Sequence, residues 1–225
     1  MVSNNNFKGV TYGNGLYVIS TGGGTIRTSD DGITWTERIN PSLWDLNTVT
    51  YGNGIFVTMG YGGKISTSDD GITWSSINWG DCNCSTGNGR DMNSVIYANS
   101  KFLAVGQVTI LISDNGTTWA EHNTSATLRG VSFGNNYYVA VGYTGSSFRS
   151  TDGTTWSESE NAFGSSEYLF GVTFGNNTFV AVGSSGNIVR STDNGSSWDN
   201  ATIYNSTSNT LGGITFGYNT FVAVG

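Results

Sequence analysis

The sequence predicts an all-β protein: a β-propeller of four-stranded antiparallel blades, five complete repeats plus a two-stranded half blade. Three observations predict it. Tryptophan returns at positions 35, 74, 119, 156 and 198, each closing a short Asp/Gly turn, and a spacing of roughly 40 residues is that of a propeller blade. Ahead of every such turn, and once more near position 215, an apolar segment alternates through Val or Ile and an aromatic residue, as a half-buried strand does. The chain carries 33 glycines and a single proline, Pro41, which suits short strands joined by tight turns. A β-solenoid is the competing architecture, but its coils are shorter and lack a four-strand meander.

The first strand of the unit occupies residues 7–15, 46–54, 92–100, 128–136, 169–177 and 211–219, and each copy ends in a Gly-Asn-Gly type turn. Gly and Asn accept the positive φ that a tight hairpin needs. A second strand follows, as in Leu16-Tyr17-Val18-Ile19 or Phe102-Leu103-Ala104-Val105, and its small Ala-Val-Gly residues suggest a crowded neighbourhood near the propeller axis. A glycine-rich bend leads to a third strand, such as 25–27 or 187–190, and the Asp/Gly turn reverses into a fourth strand beginning at the tryptophan. The predicted organisation is one domain, 1–225, with blades at about 7–45, 46–91, 92–127, 128–168 and 169–210 and a half blade at 211–225. Six first strands against five Asp/Gly turns leave residues 221–225 as an open edge. A fragment of a longer propeller is the expected reason; completion by another chain, with self-association through that edge, and a five-blade ring with an accessory hairpin are the alternatives.

Composition narrows the partners. Aromatic residues are 13% of the chain, enough apolar surface to bury, and charged residues only 11%. A net charge of −7 argues against nucleic acid or an anionic membrane as partner, and the scattered Lys and Arg form no basic patch. No apolar run is long enough to span a bilayer, so membrane insertion is not expected. The first residues have neither the basic start nor the apolar stretch of a signal peptide. Cys82 and Cys84, one residue apart, read as loop residues, and with only His122 to add they do not make a zinc site; no metal or cofactor is expected.

The turn sequences resemble the Asp-box, or bacterial neuraminidase repeat, Ser/Thr-x-Asp-x-Gly-x-Thr-Trp, of sialidases and many other propellers. The resemblance covers essentially the whole chain, with Thr-Asp-Gly at 151–153 reading one residue short. It implies a structural role for Asp30, Gly32 and Trp35, for Asp69, Gly71 and Trp74, and for Asp114, Gly116 and Trp119. The same holds for Asp152, Gly153 and Trp156, and for Asp193, Gly195 and Trp198. In each box the Asp is expected to accept backbone hydrogen bonds and the Trp to pack into its blade, as turn chemistry alone also requires.

Catalysis is not expected. The resemblance to sialidases would imply an Arg-Ile-Pro stretch, an arginine triad and a Tyr/Glu pair, and this chain has no Arg-Ile-Pro. Arg27, Arg149 and Arg190 recur at matching third-strand positions and read as blade features. No spacing among the carboxylates selects a glycosidase pair, leaving a sialidase-like glycoside hydrolase as the weakest alternative.

Strand connectivity puts the first-to-second turns and the Asp/Gly turns at one end of each blade. The second-to-third bends and the irregular connections 36–45, 75–91, 120–127, 157–168 and 199–210 fall at the other. These connections hold Trp44, Asp45, Trp79, Asp81, Asn123, Phe163, Tyr168 and Tyr204, the candidate ligand-binding residues. Aromatic platforms beside amides and carboxylates suit sugars, since rings stack on C–H faces while polar groups fix hydroxyls. Packing between blades or against another chain is the alternative use of the same aromatics. The expected function is a non-catalytic, lectin-like binding or assembly module, extracellular or virion-associated. Its near-identical repeats resemble those of secreted bacterial and phage tail or fibre proteins, and a glycan or cell-surface polymer is the expected partner.

Overall fold

Every predicted hairpin forms on a two-residue turn with both central residues at positive φ: Asn14-Gly15, Asn53-Gly54, Asn99-Ser100, Asn135-Asn136, Asn176-Asn177 and Tyr218-Asn219. These are the mirror-image turns whose twist matches that of paired strands. The computed structural model describes residues 6–77, 79, 90–159, 167–200 and 208–225.

Among the described residues, five four-stranded antiparallel sheets and one two-stranded sheet form, each a meander in chain order. The first is β1 (Phe7–Gly13), β2 (Leu16–Thr21), β3 (Ile26–Ser29) and β4 (Thr36–Arg38). The second is β5 (Leu46–Gly52), β6 (Ile55–Gly60), β7 (Ile65–Ser68) and β8 (Ser75–Ile77). The third is β9 (Met92–Ala98), β10 (Lys101–Gly106), β11 (Thr109–Ser113) and β12 (Ala120–Asn123). Then come β13 (Leu128–Gly134), β14 (Tyr137–Gly142), β15 (Ser147–Ser150) and β16 (Ser157–Glu158), and after them β17 (Leu169–Gly175), β18 (Thr178–Gly183), β19 (Ile188–Ser191) and β20 (Asp199–Asn200). The two-stranded sheet is β21 (Gly213–Gly217) and β22 (Thr220–Val224). The fourth strands start one residue after the tryptophan rather than at it.

The chain divides into two compact units, Met1–Glu121 and His122–Gly225. In the first, Val18 and Ile26 of one sheet pack with Leu46, Val49, Phe56 and Trp74 of the next, and Val57, Met59 and Ile65 pack with Met92, Val95, Phe102 and Trp119. In the second, Val139 and Val141 pack with Leu169, Val172, Phe179 and Ala181. Inside each sheet an aromatic pair faces across the first two strands. Tyr51–Phe56, Tyr97–Phe102 and Phe174–Phe179 have centroids 4.6, 4.7 and 4.7 Å apart.

In four of the sheets the glycine closing the second strand meets its own sheet. A Cβ on Gly60, Gly106, Gly142 or Gly183 would run into the backbone carbonyl of the residue entering that sheet: Asp45, Asp91, Thr127 and Tyr168 respectively.

A bulge recurs near the start of the first strands. Register shifts between Phe7 and Gly9, Leu46 and Thr48, Leu128 and Gly130, and Leu169 and Gly171 each leave one residue unpaired. Bulges re-aim side chains, and two of these residues, Arg129 and Phe170, reappear below.

Candidate functional site

At the turn end of each sheet, polar side chains are consumed by backbone. Ser29 Oγ donates to Asp31 Oδ1 at 2.9 Å and accepts the Gly32 N–H at 2.8 Å. Asp31 Oδ1 then accepts the N–H groups of Ile33 and Thr34, both at 2.7 Å. Ser68–Asp70, Ser113–Asn115 and Ser150–Asp152 repeat the arrangement. In the first three turns the acceptor is therefore Asp31, Asp70 and Asn115, not the expected Asp30, Asp69 and Asp114. The side chain must stand two residues after the serine to face the following N–H groups. Asp114 instead pairs with Lys101 at 2.6 Å.

The fourth turn is not short. It has the length of the first three, and the fifth is the longer one, with Asn194 inserted at φ 61°. There Asp193 accepts from Ser196 and Ser197. The insertion also redirects the indole. Trp74, Trp119 and Trp156 donate to the carbonyls of Gly71, Gly116 and Gly153 at 3.0, 3.0 and 2.9 Å, whereas Trp198 donates to Ser147 Oγ at 3.1 Å.

These bonds favour the ionised carboxylate. The backbone N–H of Thr34, then those of Ile33 and Ser29's hydroxyl, lower the Asp31 pKa to about 2. The N–H groups of Thr73 and Ile72 take Asp70 to about 2 as well. Asp152 is lowered by Thr155 and Thr154. For Asp193 burial acts in the raising direction and is outweighed by hydrogen bonds from Ser197, Ser191 and Ser196. Such groups are turn anchors held as anions, the opposite of a carboxyl kept protonated for acid catalysis. The third-strand arginines are also engaged nearby: Arg27 by Glu37 at 3.6 Å, Arg190 by Asp199 at 2.9 Å, and Arg149 over the Tyr137 ring at 5.7 Å.

The connection end is built differently. Asn40, 3% exposed, organises the loop between the first two sheets. Its Nδ2 donates to the Gly24 carbonyl at 2.9 Å, and its Oδ1 accepts from Ser42 N, Ser42 Oγ and Ser66 Oγ. So anchored, the loop presents Leu43 at φ 57° and Trp44. Trp44 stacks on Tyr61, with centroids 5.9 Å apart and planes 18° from parallel. The two rings remain 41% and 47% exposed, a fraction that leaves a face for a ligand. Beside the loop an open depression of about 360 Å³ is lined by Gly24, Glu37, Arg38, Ile39, Asn40 and Leu43.

Asp45 does not face this depression as a free carboxylate. Its Oδ1 accepts the Gly23 N–H at 2.6 Å, and Asp91 does the same for Gly62 at 2.9 Å. The acid entering one sheet thus fixes a glycine bend. Trp79 is half-buried against the core around Met59, Ile65 and Met92 and stands beside Gly63, so it serves packing. Asn123 is exposed at the end of β12. Asp81, Phe163 and Tyr204 lie outside the described residues.

In the second unit Tyr168 joins a cluster that sequence reasoning did not assemble. Tyr143 meets it at 4.8 Å, and Phe170 lies 6.5 Å from both rings. The Arg129 guanidinium sits 5.5 Å over Tyr143 and 5.8 Å over Phe170. Tyr168 N donates to Ser184 Oγ at 3.0 Å, and Ser184 in turn donates to Glu167 at 2.8 Å, fixing the segment that carries the tyrosine. Tyr61 and Tyr143 both directly follow the glycine closing a second strand, a shared position that alignment on the strand ends would have exposed. Arg129 and Phe170 occupy bulge positions, and no sequence signal announces the bulge.

Among the described residues no group of His, Cys, Asp and Glu is placed to hold a metal ion. Cys82 and Cys84 are outside them.

No family model and no curated protein matches the chain. Solved structures do. The computationally designed Ika8 protein matches with a TM-score of 0.73 at 14% identity, covering 96% of this chain and 67% of its own. YCF48 from Cyanidioschyzon merolae matches with a TM-score of 0.73 at 19% identity over 98% of this chain and 80% of its own. A structure of YCF48 bound to D1 peptide matches at 0.67 and 17% identity, covering 88% and 67%. With the meandering four-stranded sheets, these likenesses make the chain a β-propeller protein. At such identities they establish the fold alone.

Proposed function

We propose that this chain is a non-catalytic binding module of the Asp-box propeller kind, acting outside the cell or on a virion, that recognises glycans through the connection ends of its blades. The observation that carries the reading is the Trp44–Tyr61 stack, half-exposed on a loop that buried Asn40 holds in place. A rigid ring with an open face gives contact area at little entropic cost. The Tyr143–Tyr168–Phe170 cluster with Arg129 offers a second, differently charged platform. Weak sites carried on one scaffold gain strength together when the target is a polymer. The turn acids Asp31, Asp70, Asp152 and Asp193 are committed to backbone, which supports binding rather than turnover. A propeller neighbour bound to a peptide supports a binding role of the scaffold in general.

A glycan-array screen followed by calorimetry tests the reading. Trp44→Ala should weaken binding about tenfold, equivalent to about 1.4 kcal/mol, while the protein stays folded. An array with no hits, or a hit indifferent to both Trp44→Ala and Tyr168→Ala, sinks it. Steady turnover of an aryl glycoside would replace it with the hydrolase reading.

A further inference from the structure

The seam between β13 and β17 is built differently from the seam between β5 and β9, and the difference puts a cation on an aromatic platform. Between β5 and β9, polar side chains tie the first strands together. The bulge residue Asn47 donates from Nδ2 to the Met92 carbonyl at 3.0 Å, and Thr48 Oγ1 accepts the Val95 N–H at 3.1 Å. In the second unit the residue after each bulge is a glycine. A Cβ on Gly130 would stand 3.2 Å from the Gly171 Cα, so the two strands meet backbone to backbone. That approach brings the bulge residues Arg129 and Phe170 together at the connection end.

The Arg129 guanidinium lies over Tyr143 and Phe170, and Tyr168, 42% exposed, extends the same surface. Two rings against the guanidinium face fix its plane and leave its N–H groups at the edge. A carboxylate accepts two such groups in parallel. The exposed Tyr168 ring beside it suits the C–H face of a sugar. Glu167, the neighbouring acid, is engaged by the bend of its own sheet, where its Oε2 accepts from Ser184 Oγ at 2.8 Å and from Asn187 Nδ2 at 2.7 Å. The first unit's platform has the opposite endowment. Asp45 holds the position before the first strand that Tyr168 holds in the second unit, and neutral Asn47 stands at the bulge.

We propose, on the basis of the glycan reading above, that the Arg129–Tyr168 platform is a subsite for an acidic sugar: the Tyr168 ring carries a uronic acid and Arg129 binds its carboxylate. The Trp44–Tyr61 platform, with an acid beside it, takes neutral sugars. The net charge of −7 does not oppose this, because at about 0.15 M salt charges more than about 8 Å away are screened and the nearest cation decides. The polymer that engages both platforms carries acidic and neutral residues.

Oligomers of galacturonate, glucuronate and mannuronate, each compared with its methyl ester by calorimetry on the full chain, test this. The ester keeps the ring and its hydroxyls and loses the charge. At least one acid should bind about tenfold more tightly than its ester, and the preference should shrink as salt is raised. Arg129→Met keeps an apolar stem over the rings and should abolish the preference. Arg129→Lys should retain part of it, since the charge survives and the planar fork does not. Arg129→Gln takes the place of the methionine variant should that one lose its β-sheet circular dichroism. Acids that bind no better than their esters, or a preference that loss of the guanidinium leaves intact, overturn the inference. If neutral glycans still bind in that case, the glycan reading survives alone; if the array is empty as well, both fail.

Discussion

The two ends of each blade use the same residue types to opposite effect. At the turn end, Ser, Asp and Gly close a hydrogen-bond network on their own backbone, and the following tryptophan bonds back to the turn in three of five cases. At the connection end, Asn40, Asp45 and Glu167 also anchor backbone or neighbouring side chains. What they anchor, though, is a loop bearing an exposed ring. Polar residues are structural at both ends of this scaffold, and the ends differ in which aromatics they leave uncovered. Burial decides between anchor and platform: Trp74 and Trp119 are 7% and 8% exposed, Trp44 41%.

Predictions follow from breaking that asymmetry. The largest effect belongs to Trp119→Ala, which removes an indole packed 6.3 Å from Phe102 and should cost about 3–5 kcal/mol in chemical denaturation. Gly175→Ala comes next. Its methyl would enter the Phe216 ring, and overpacking of this kind costs about 1–3 kcal/mol, read as a lowered midpoint with the slope unchanged. Asp70→Ala should lower the thermal midpoint more than Asp70→Asn, since Asn115 performs the same acceptor role in the third turn.

A smaller effect appears in acid. Asp31 and Asp70 have folded pKa values lowered from the ordinary 3.8 of an aspartate to about 2. The unfolded chain therefore binds these protons more readily than the folded one. Their stabilising contribution is complete above pH 4 to 5 and fades as pH falls through the window toward 2. An acid titration of Asp31→Asn should show a shallower loss over that window than wild type; an identical profile would remove these turns from the acid response. Trp44→Ala should lower the midpoint less than Trp119→Ala, because Trp44 is 41% exposed and Trp119 only 8%. A large loss of stability there would make the stack a structural element.

Much of the fold was legible. Six Asn- or Gly-bearing turns, a tryptophan every forty or so residues and strict alternation are local signals, each fixed by the steric needs of a few adjacent residues. The sequence register of the turn acceptor was not legible, because in Asp30-Asp31 and Asp69-Asp70 both neighbours have the right chemistry and only the backbone path selects the second. The site was half legible. Trp44 and Tyr168 stood out as aromatics in irregular loops, but Trp79, chosen on the same grounds, packs against a core.

Sequence alone determined the number and order of strands, the hairpin turns and the glycine positions, since these depend on φ preferences and on alternation within a few residues. Only the tertiary structure decided which aromatics face solvent and which bulges aim Arg129 and Phe170 at Tyr143. Those are contacts between residues distant in the chain, and they are set by how one sheet's side chains fill the space above the next.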